Sequence, residues 1–359
     1  MRSREQSELE VTLIYSALPF YRQDFIDYIS KRLPTLKVLS GPSQFDPTVT
    51  AGVTSDILDI ADRNHYLLGR RLLWQSGILR AALHADVLVM ELNPRVINTW
   101  LMLVLRTLRS QRTVLWGHAW PRRGKFYWSD RLRSVQRRLA SRVIVYTYGQ
   151  AEELRQRHTS GIDVAVAPNS IYAAAQMWPS QRRGMNVIFS GRLVREKKPM
   201  LLLDAFRILH AAHPKIGLVF IGDGPEMPAL KTAASALPSA QIDLIGEIRD
   251  FESLRDLYSR AFCSVSPGYV GLSITQTLGF GVPMIFPDGE PHAPEVECAT
   301  EMNSQTFPSD DATALAECIA TMVRDIDIWD ARRDHIAAEM RRCYSVEAMG
   351  DGFIKAVES

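Results

Sequence analysis

The 359-residue sequence is 46% hydrophobic and 23% charged with a formal net charge of +2, a balance that excludes a disordered or fibrous chain. No run approaches the ~20 apolar residues of a membrane span, and the apolar run after the charged first ten residues is too short for a secretory leader, so a cytoplasmic protein is expected. The four cysteines, Cys263, Cys298, Cys318 and Cys343, are widely spaced with no CxxC and no clustered His, which predicts reduced thiols and neither a zinc site nor a disulfide framework.

The length suits two α/β domains better than one core. In the first half, β-rich runs at 11–17, 36–40, 86–92, 113–117 and 142–148 alternate with helical patterns at 23–32, 74–85, 94–110, 129–140 and 150–157. Asn93-Pro94 reads as a helix start, with Asn as N-cap. Residues 41–70 lack periodicity and read as a long loop region facing the acceptor. A strand at 164–167 leads to Pro168-Asn169-Ser170, and 172–184 reads as a polar linker.

A second alternating series follows, with strands at 187–190, 218–222, 242–245, 263–266 and 283–286. Helices are predicted at 200–213, 226–237, 251–260, 273–280, 311–324, 327–342 and 346–357. Asp325-Ile326-Asp327 matches the pattern that metal-dependent transferases use, but it lies between two C-terminal helices and reads as a boundary with Asp327 as N-cap.

The second series carries the chemistry. Ser190-Gly191-Arg192-Leu193 ends a strand and is followed by Glu196-Lys197-Lys198. A glycine allows close backbone approach, and Arg plus Lys can hold a diphosphate, Arg through bidentate bonds and Lys as a point charge. Val219-Phe220-Ile221-Gly222-Asp223-Gly224-Pro225 is a strand running into a glycine turn, and Leu244-Ile245-Gly246 ends another strand. Ser266-Pro267-Gly268-Tyr269-Val270-Gly271-Leu272-Ser273 leads into a helix, closed by Gly281-Val282-Pro283; amides at 271–273 favour a phosphate there.

From Arg95 to Arg142 twelve Arg and Lys face one acid, Asp130, interleaved with Trp100, Trp116, Trp120, Phe126, Tyr127 and Trp128. That segment, with Arg122, Arg123, Lys125 and Trp128 at its centre, suits anionic headgroups or a diphosphate-bearing acceptor, or else a solvated basic helix face. No nucleic-acid module is recognisable, so no nucleic-acid partner is expected.

The ordered series GRLxxEK, FIGDGP, a strand–Gly step and SPxxxGLxxxQxLxxGVPMI resembles the group 1 (family 4) retaining glycosyltransferases. The resemblance is close from Met185 to about Glu297 and thinner before it, at Trp116-Gly117-His118, Tyr146-Thr147 and Pro168-Asn169-Ser170. It implies the GT-B architecture: two Rossmann-like domains, 1–171 binding acceptor and 185–342 binding donor, with an interdomain cleft and a helix at 343–359 returning to the first. It also implies transfer of a sugar from a nucleotide-diphosphate donor, with retained configuration, no cofactor and no metal at the donor. On it, Arg192 and Lys197 hold the diphosphate and His118 faces the donor sugar. Gly191, Gly222, Gly271, Leu272 and Ser273 surround the donor. The implied acceptor is a glycan or polyprenyl-diphosphate-linked glycan in surface polysaccharide synthesis, at the cytoplasmic face of the inner membrane.

Two departures stand out. The family commonly carries glutamates where this chain has Gly268 and Gln276; Gln276 keeps a hydrogen bond for a ribose hydroxyl, and Glu295 is the candidate replacement carboxylate. Ser16–Arg22 also replaces a glycine-rich loop after the first strand. A non-catalytic nucleotide- or glycan-binding relative, or a nucleotide-sugar epimerase using His118, His292 and Glu295, are the alternatives.

Overall fold

The computed structural model describes residues 9–121, 127–157, 161–179, 181–182, 184–237 and 240–359. The chain forms two units, Met1–Ile171 with Val346–Ser359 and Tyr172–Ser345.

In the first unit the elements run β1 (Val11–Tyr15), α1 (Gln23–Ser30), β2 (Lys37–Ser40), β3 (Leu58–Ile60), β4 (Asn64–Leu67), β5 (Leu72–Gln75) and α2 (Leu79–His84). They continue with β6 (Val87–Glu91), α3 (Ile97–Leu108), β7 (Arg112–Trp116), α4 (Ser129–Leu139), β8 (Arg142–Val145), α5 (Tyr148–Arg157) and β9 (Val164–Val166). Seven strands form a parallel sheet in the order β3-β2-β1-β6-β7-β8-β9. Alternate side chains feed opposite layers: Leu13 and Val89 pack with Phe25, while Ile14, Leu88 and Met90 pack with Met102 and Leu103.

Three sequence expectations fail here. The helix predicted over 74–85 is a strand, β5, followed by the short α2, and the loop region 41–70 contains β3 and β4. β4 and β5 form an antiparallel hairpin whose turn, Leu68-Gly69-Arg70, has positive φ at all three residues. Only one of the three is glycine, so the turn carried no clear signal. Helix α3 starts at Ile97, not at Pro94, because the Asn93 side chain accepts from the Arg95 N–H (3.2 Å) in a local turn that competes with capping.

The second unit runs β10 (Asn186–Ser190), α6 (Pro199–Ala212), β11 (Gly217–Ile221), α7 (Met227–Ser235), β12 (Ile242–Gly246), α8 (Phe251–Ser259) and β13 (Ala261–Val265). Then come α9 (Ser273–Gly279), β14 (Met284–Asp288), β15 (Ser304–Pro308), α10 (Ala312–Arg324) and α11 (Ile326–Cys343). The strands are parallel in the order β12-β11-β10-β13-β14-β15. β15 went unread because Ser-Gln-Thr-Phe-Pro is a polar edge strand. Asp325, not Asp327, occupies the N-cap position of α11. The described residues of 172–184 belong to this unit: Tyr172 lies against Phe251 and Phe280, and Met177 is 1% exposed beside α9. The last helix, α12 (Val346–Glu358), belongs to the first unit, where Met349, Phe353, Ala356 and Val357 are fully buried against α1, β8 and β9.

Candidate active site

In the second unit the strand order reverses between β10 and β13, and ligands of such sheets bind outside the carboxyl ends at that point. Three loops are laced together there by their backbones. Gly191 N–H donates to Ile221 O (2.9 Å), Gly222 N–H to Gly246 O (2.7 Å) and Leu193 N–H to Asp223 O (2.9 Å). Gly222 has φ +135°, and a Cβ on it would lie closer than 3.0 Å to the Gly191 carbonyl, so only glycine fits.

After this lacing, residues Arg195–Lys197 make a single 3-10 turn, and Lys198, at φ +49°, opens α6. Lys198 is committed to ion pairs with Glu290 and with Asp310 (2.7 Å). The Lys197 ammonium instead stands 4.0 Å from where a Cβ on Gly191 would be, and 5.5 Å from the Tyr269 ring centroid. Arg192 is exposed on the same loop, next to Gly191. The two predicted diphosphate-binding cations therefore share one short segment at the switch point.

The facing loop, 266–272, is built around the first departure. A Cβ on Gly268 would lie closer than 3.0 Å to the Glu196 carbonyl, which accepts from the Tyr269 N–H (2.9 Å). The absent glutamate thus has a steric cause: the 195–197 turn sits where its side chain would start. His292 clamps the same loop. Its Nδ1 accepts from the Val270 N–H (3.1 Å) and its Nε2–H donates to Pro287 O (2.7 Å), which assigns the neutral tautomer, and burial pushes its pKa below the ordinary value.

Gly271 and Leu272 precede α9, and Ser273 opens it with its hydroxyl buried and without a partner. Gln276 is tied inward: its amide nitrogen donates to Ser190 Oγ (3.1 Å) and to Tyr258 OH (3.2 Å). The nitrogen of the side chain assigned to a ribose hydroxyl thus joins α9 to the end of β10. Glu295, in the 3-10 turn Pro294–Cys298, is 2% exposed and follows the His292 clamp directly.

The first unit has a pocket of its own, about 240 Å³, lined by Tyr15, Glu91, Trp116, His118, Arg133 and Tyr146 among others. His118 is exposed at its rim, with its ring 4.8 Å from that of Tyr146. Glu91 accepts from Ser16 Oγ (2.9 Å) and Ser16 N–H (3.3 Å), yet burial pushes its carboxyl up to about 7. Sequence reasoning missed Glu91, whose only signal was a polar end to the apolar strand VLVME.

Arg122, Arg123 and Lys125 lie outside the described residues. The basic aromatic segment is also not one continuous face. Trp116 is 2% exposed within the core, and fully buried Arg106 donates to the carbonyls of Ala82 (2.6 Å), Ala85 (3.0 Å), Asp86 (3.2 Å) and Arg112 (2.7 Å). Arg137 is 1% exposed and paired with Asp130. Remaining at the surface are Trp128, Val104, Leu108, Leu132 and Val135, alongside Arg109, Arg131 and Arg138. Among the described residues no helix is long and apolar enough to cross a membrane.

Residues 178–339 match the family described as Glycosyl transferases group 1. No curated protein matches the chain. Among solved structures, Alr3699/HepE of Anabaena, determined in complex with UDP, is 15% identical with a TM-score of 0.68, covering 98% of this chain and 100% of its own. The pneumococcal O-GlcNAc transferase GtfA, in complex with UDP and GlcNAc, is 13% identical with a TM-score of 0.67, covering 98% and 99%. Sucrose-phosphate synthase of Thermosynechococcus elongatus is 15% identical with a TM-score of 0.65, covering 96% and 98%. At these identities the likeness shows the fold, two Rossmann-like halves of the GT-B kind.

Proposed function

We propose, from the premise that this chain carries a group 1 glycosyltransferase domain, that it is a retaining glycosyltransferase. It moves a sugar from a nucleotide-diphosphate donor to a glycan or lipid-linked glycan acceptor in surface polysaccharide synthesis. The observation that supports this most is the laced glycine edge after β10, where Lys197 stands against Gly191 and Arg192 follows on the same loop.

In the reaction the bond from the sugar's C1 to the diphosphate breaks, and a bond to an acceptor hydroxyl forms on the same face of the ring. The acceptor's proton leaves with the nucleotide diphosphate. Arg192 and Lys197 act electrostatically, neutralising charge as it builds on the departing phosphate oxygens. Groups aimed in this way are worth roughly 10²–10³ in rate each. Their fixed charge takes the part a divalent cation plays in metal-dependent transferases, so turnover should persist in chelator. Relatives have been determined with UDP, which makes uridine nucleotides the first donors to test. Peripheral contact with the inner membrane is assigned to exposed residues of α3 and α4, the apolar Leu108, Leu132 and Val135 and the basic Arg131 and Arg138.

A second reading, a non-catalytic relative, draws on Gly268 and Gln276, which both have structural tasks here. The test is incubation with a panel of UDP-sugars, with and without a polyprenyl-diphosphate-linked saccharide, following nucleotide release and the anomeric NMR signals of the product. Release with retained configuration is expected. Inversion contradicts the retaining reading, and no release with any donor favours the non-catalytic one.

A further inference from the structure

The first unit reverses its strand order between β1 and β6, and its pocket lies at the carboxyl ends of those two strands. At about 240 Å³ it is smaller than the ~300–1,000 Å³ sites that hold drug-sized ligands, and it suits a single ring. Its walls mix rings with polar side chains, Tyr15, Tyr21 and Tyr146 beside Glu91, Asn93 and Arg133. Tyr15 and Tyr146 flank Trp116 with ring centroids 5.9 and 5.8 Å away, and their hydroxyls meet at 2.8 Å.

One carboxylate, Glu91, stands among these rings. Ser16 occupies one acceptor site on each of its oxygens, the hydroxyl on Oε1 and the N–H on Oε2. A carboxylate has about four such sites, so each oxygen keeps room for one more hydrogen. Two acceptors side by side match two neighbouring hydroxyls on a sugar ring. The nearby cations are partly engaged by the protein, Arg133 through Nη1 and Arg22 through Nη1 and Nη2. Arg133 donates to Leu92 O (2.6 Å) and His118 O (3.0 Å), and Arg22 donates to Ser170 O (3.1 Å) and to the Asn169 side chain. A phosphate would meet the like charge of Glu91, whereas the hydroxyls of an uncharged polyol can donate to Glu91 and accept from remaining guanidinium hydrogens.

We infer that this pocket binds one uncharged sugar ring of the acceptor, with Glu91 accepting hydrogen bonds from two adjacent ring hydroxyls between Tyr15 and Tyr146. That a sugar belongs there rests on the glycosyl-transfer reading above; its test does not. The full-length chain is titrated with methyl glycosides of glucose, galactose, mannose, rhamnose and N-acetylglucosamine, followed by saturation-transfer NMR. UDP and inorganic phosphate are titrated in parallel.

At least one glycoside binds the parent. Glu91→Gln weakens it about tenfold or more, as expected for a lost bond to a charged group, and leaves UDP binding unchanged. Tyr146→Phe, which keeps the ring, weakens it less and gives a second route should Glu91→Gln melt early. Parent binding strengthens from pH 6 to pH 8, and Glu91→Gln flattens that rise. Around Glu91 stand Tyr15, Tyr66, Tyr146, Arg22, Arg133 and His118; burial pushes the three tyrosines further up and Arg133 down to about 10, and His118→Gln tests whether the imidazole carries the rise instead. No glycoside binding by a parent that binds UDP overturns the inference, as does binding unaltered in Glu91→Gln or competed by phosphate. A parent that binds glycosides through Glu91 but not UDP upholds the pocket and instead defeats the donor reading.

Discussion

At Gly268 the family's usual glutamate cannot simply be restored. The Glu196 carbonyl already occupies the space of the first side-chain atom. Gly268→Glu is therefore expected to destabilise the second unit by about 1–3 kcal/mol, the usual cost of overpacking, and to gain no activity. A variant as stable as the parent by thermal melting would contradict the packing described. Glu91 sets a second residue-scale outcome. Its carboxyl rises from 4.5 to about 7 on folding, so between those values the folded state keeps a proton that the unfolded chain has lost. Its contribution is full below pH 4.5 and is lost as pH rises through about 7, amounting to at most about 3 kcal/mol. Glu91→Gln should remove that loss, gaining on the parent between pH 5 and pH 8 in denaturant unfolding; parallel pH curves would contradict it. The glycines at 191 and 222 were legible in the sequence because Gly222 leaves no room for a Cβ against the Gly191 carbonyl and Gly191 itself holds φ +149°, which favours glycine. Glu91 and the His292 clamp were not, since a polar strand end and a loop histidine gain meaning only from what folds against them.

Among the elements, α12 was legible as a closing helix, and the structure gives its cost of removal. Phe353 is fully buried between Phe25 and Trp116, with centroids 5.6 and 5.3 Å away. Phe353→Ala should lower stability by about 3–5 kcal/mol, and a loss below about 1 kcal/mol in urea unfolding would show that α12 is not packed as described. The hairpin β4–β5 was illegible because its turn holds Leu68 and Arg70 at positive φ, held in part by the Arg70 guanidinium stacked 3.6 Å over the Tyr66 ring. Helix α4 carries the membrane proposal. Leu132→Glu with Val135→Glu should reduce co-sedimentation with anionic vesicles at low salt, and raised salt should weaken the parent's binding as well. Unchanged binding by the double variant would remove α4 from the contact.

Over the whole molecule, two runs of alternating strand and helix were enough to read two parallel sheets, because βαβ connection leaves few other ways to bury such strands. Both sheets also share the order in which three strands lead one way and the rest return the other, which no local pattern reports. The switch points that follow from this order gather residues distant in sequence, Gly191 with Tyr269 in one unit and Ser16 with Glu91 in the other. The central claim is that fixed positive charge at the second unit's switch point holds a nucleotide diphosphate. Calorimetric titration of UDP into the parent, Arg192→Ala and Lys197→Ala measures it most directly. Each charge-assisted contact is worth about 1.5–3 kcal/mol, so each substitution should weaken binding by roughly 10- to 100-fold at unchanged melting temperature. Equal affinity in all three proteins would contradict it.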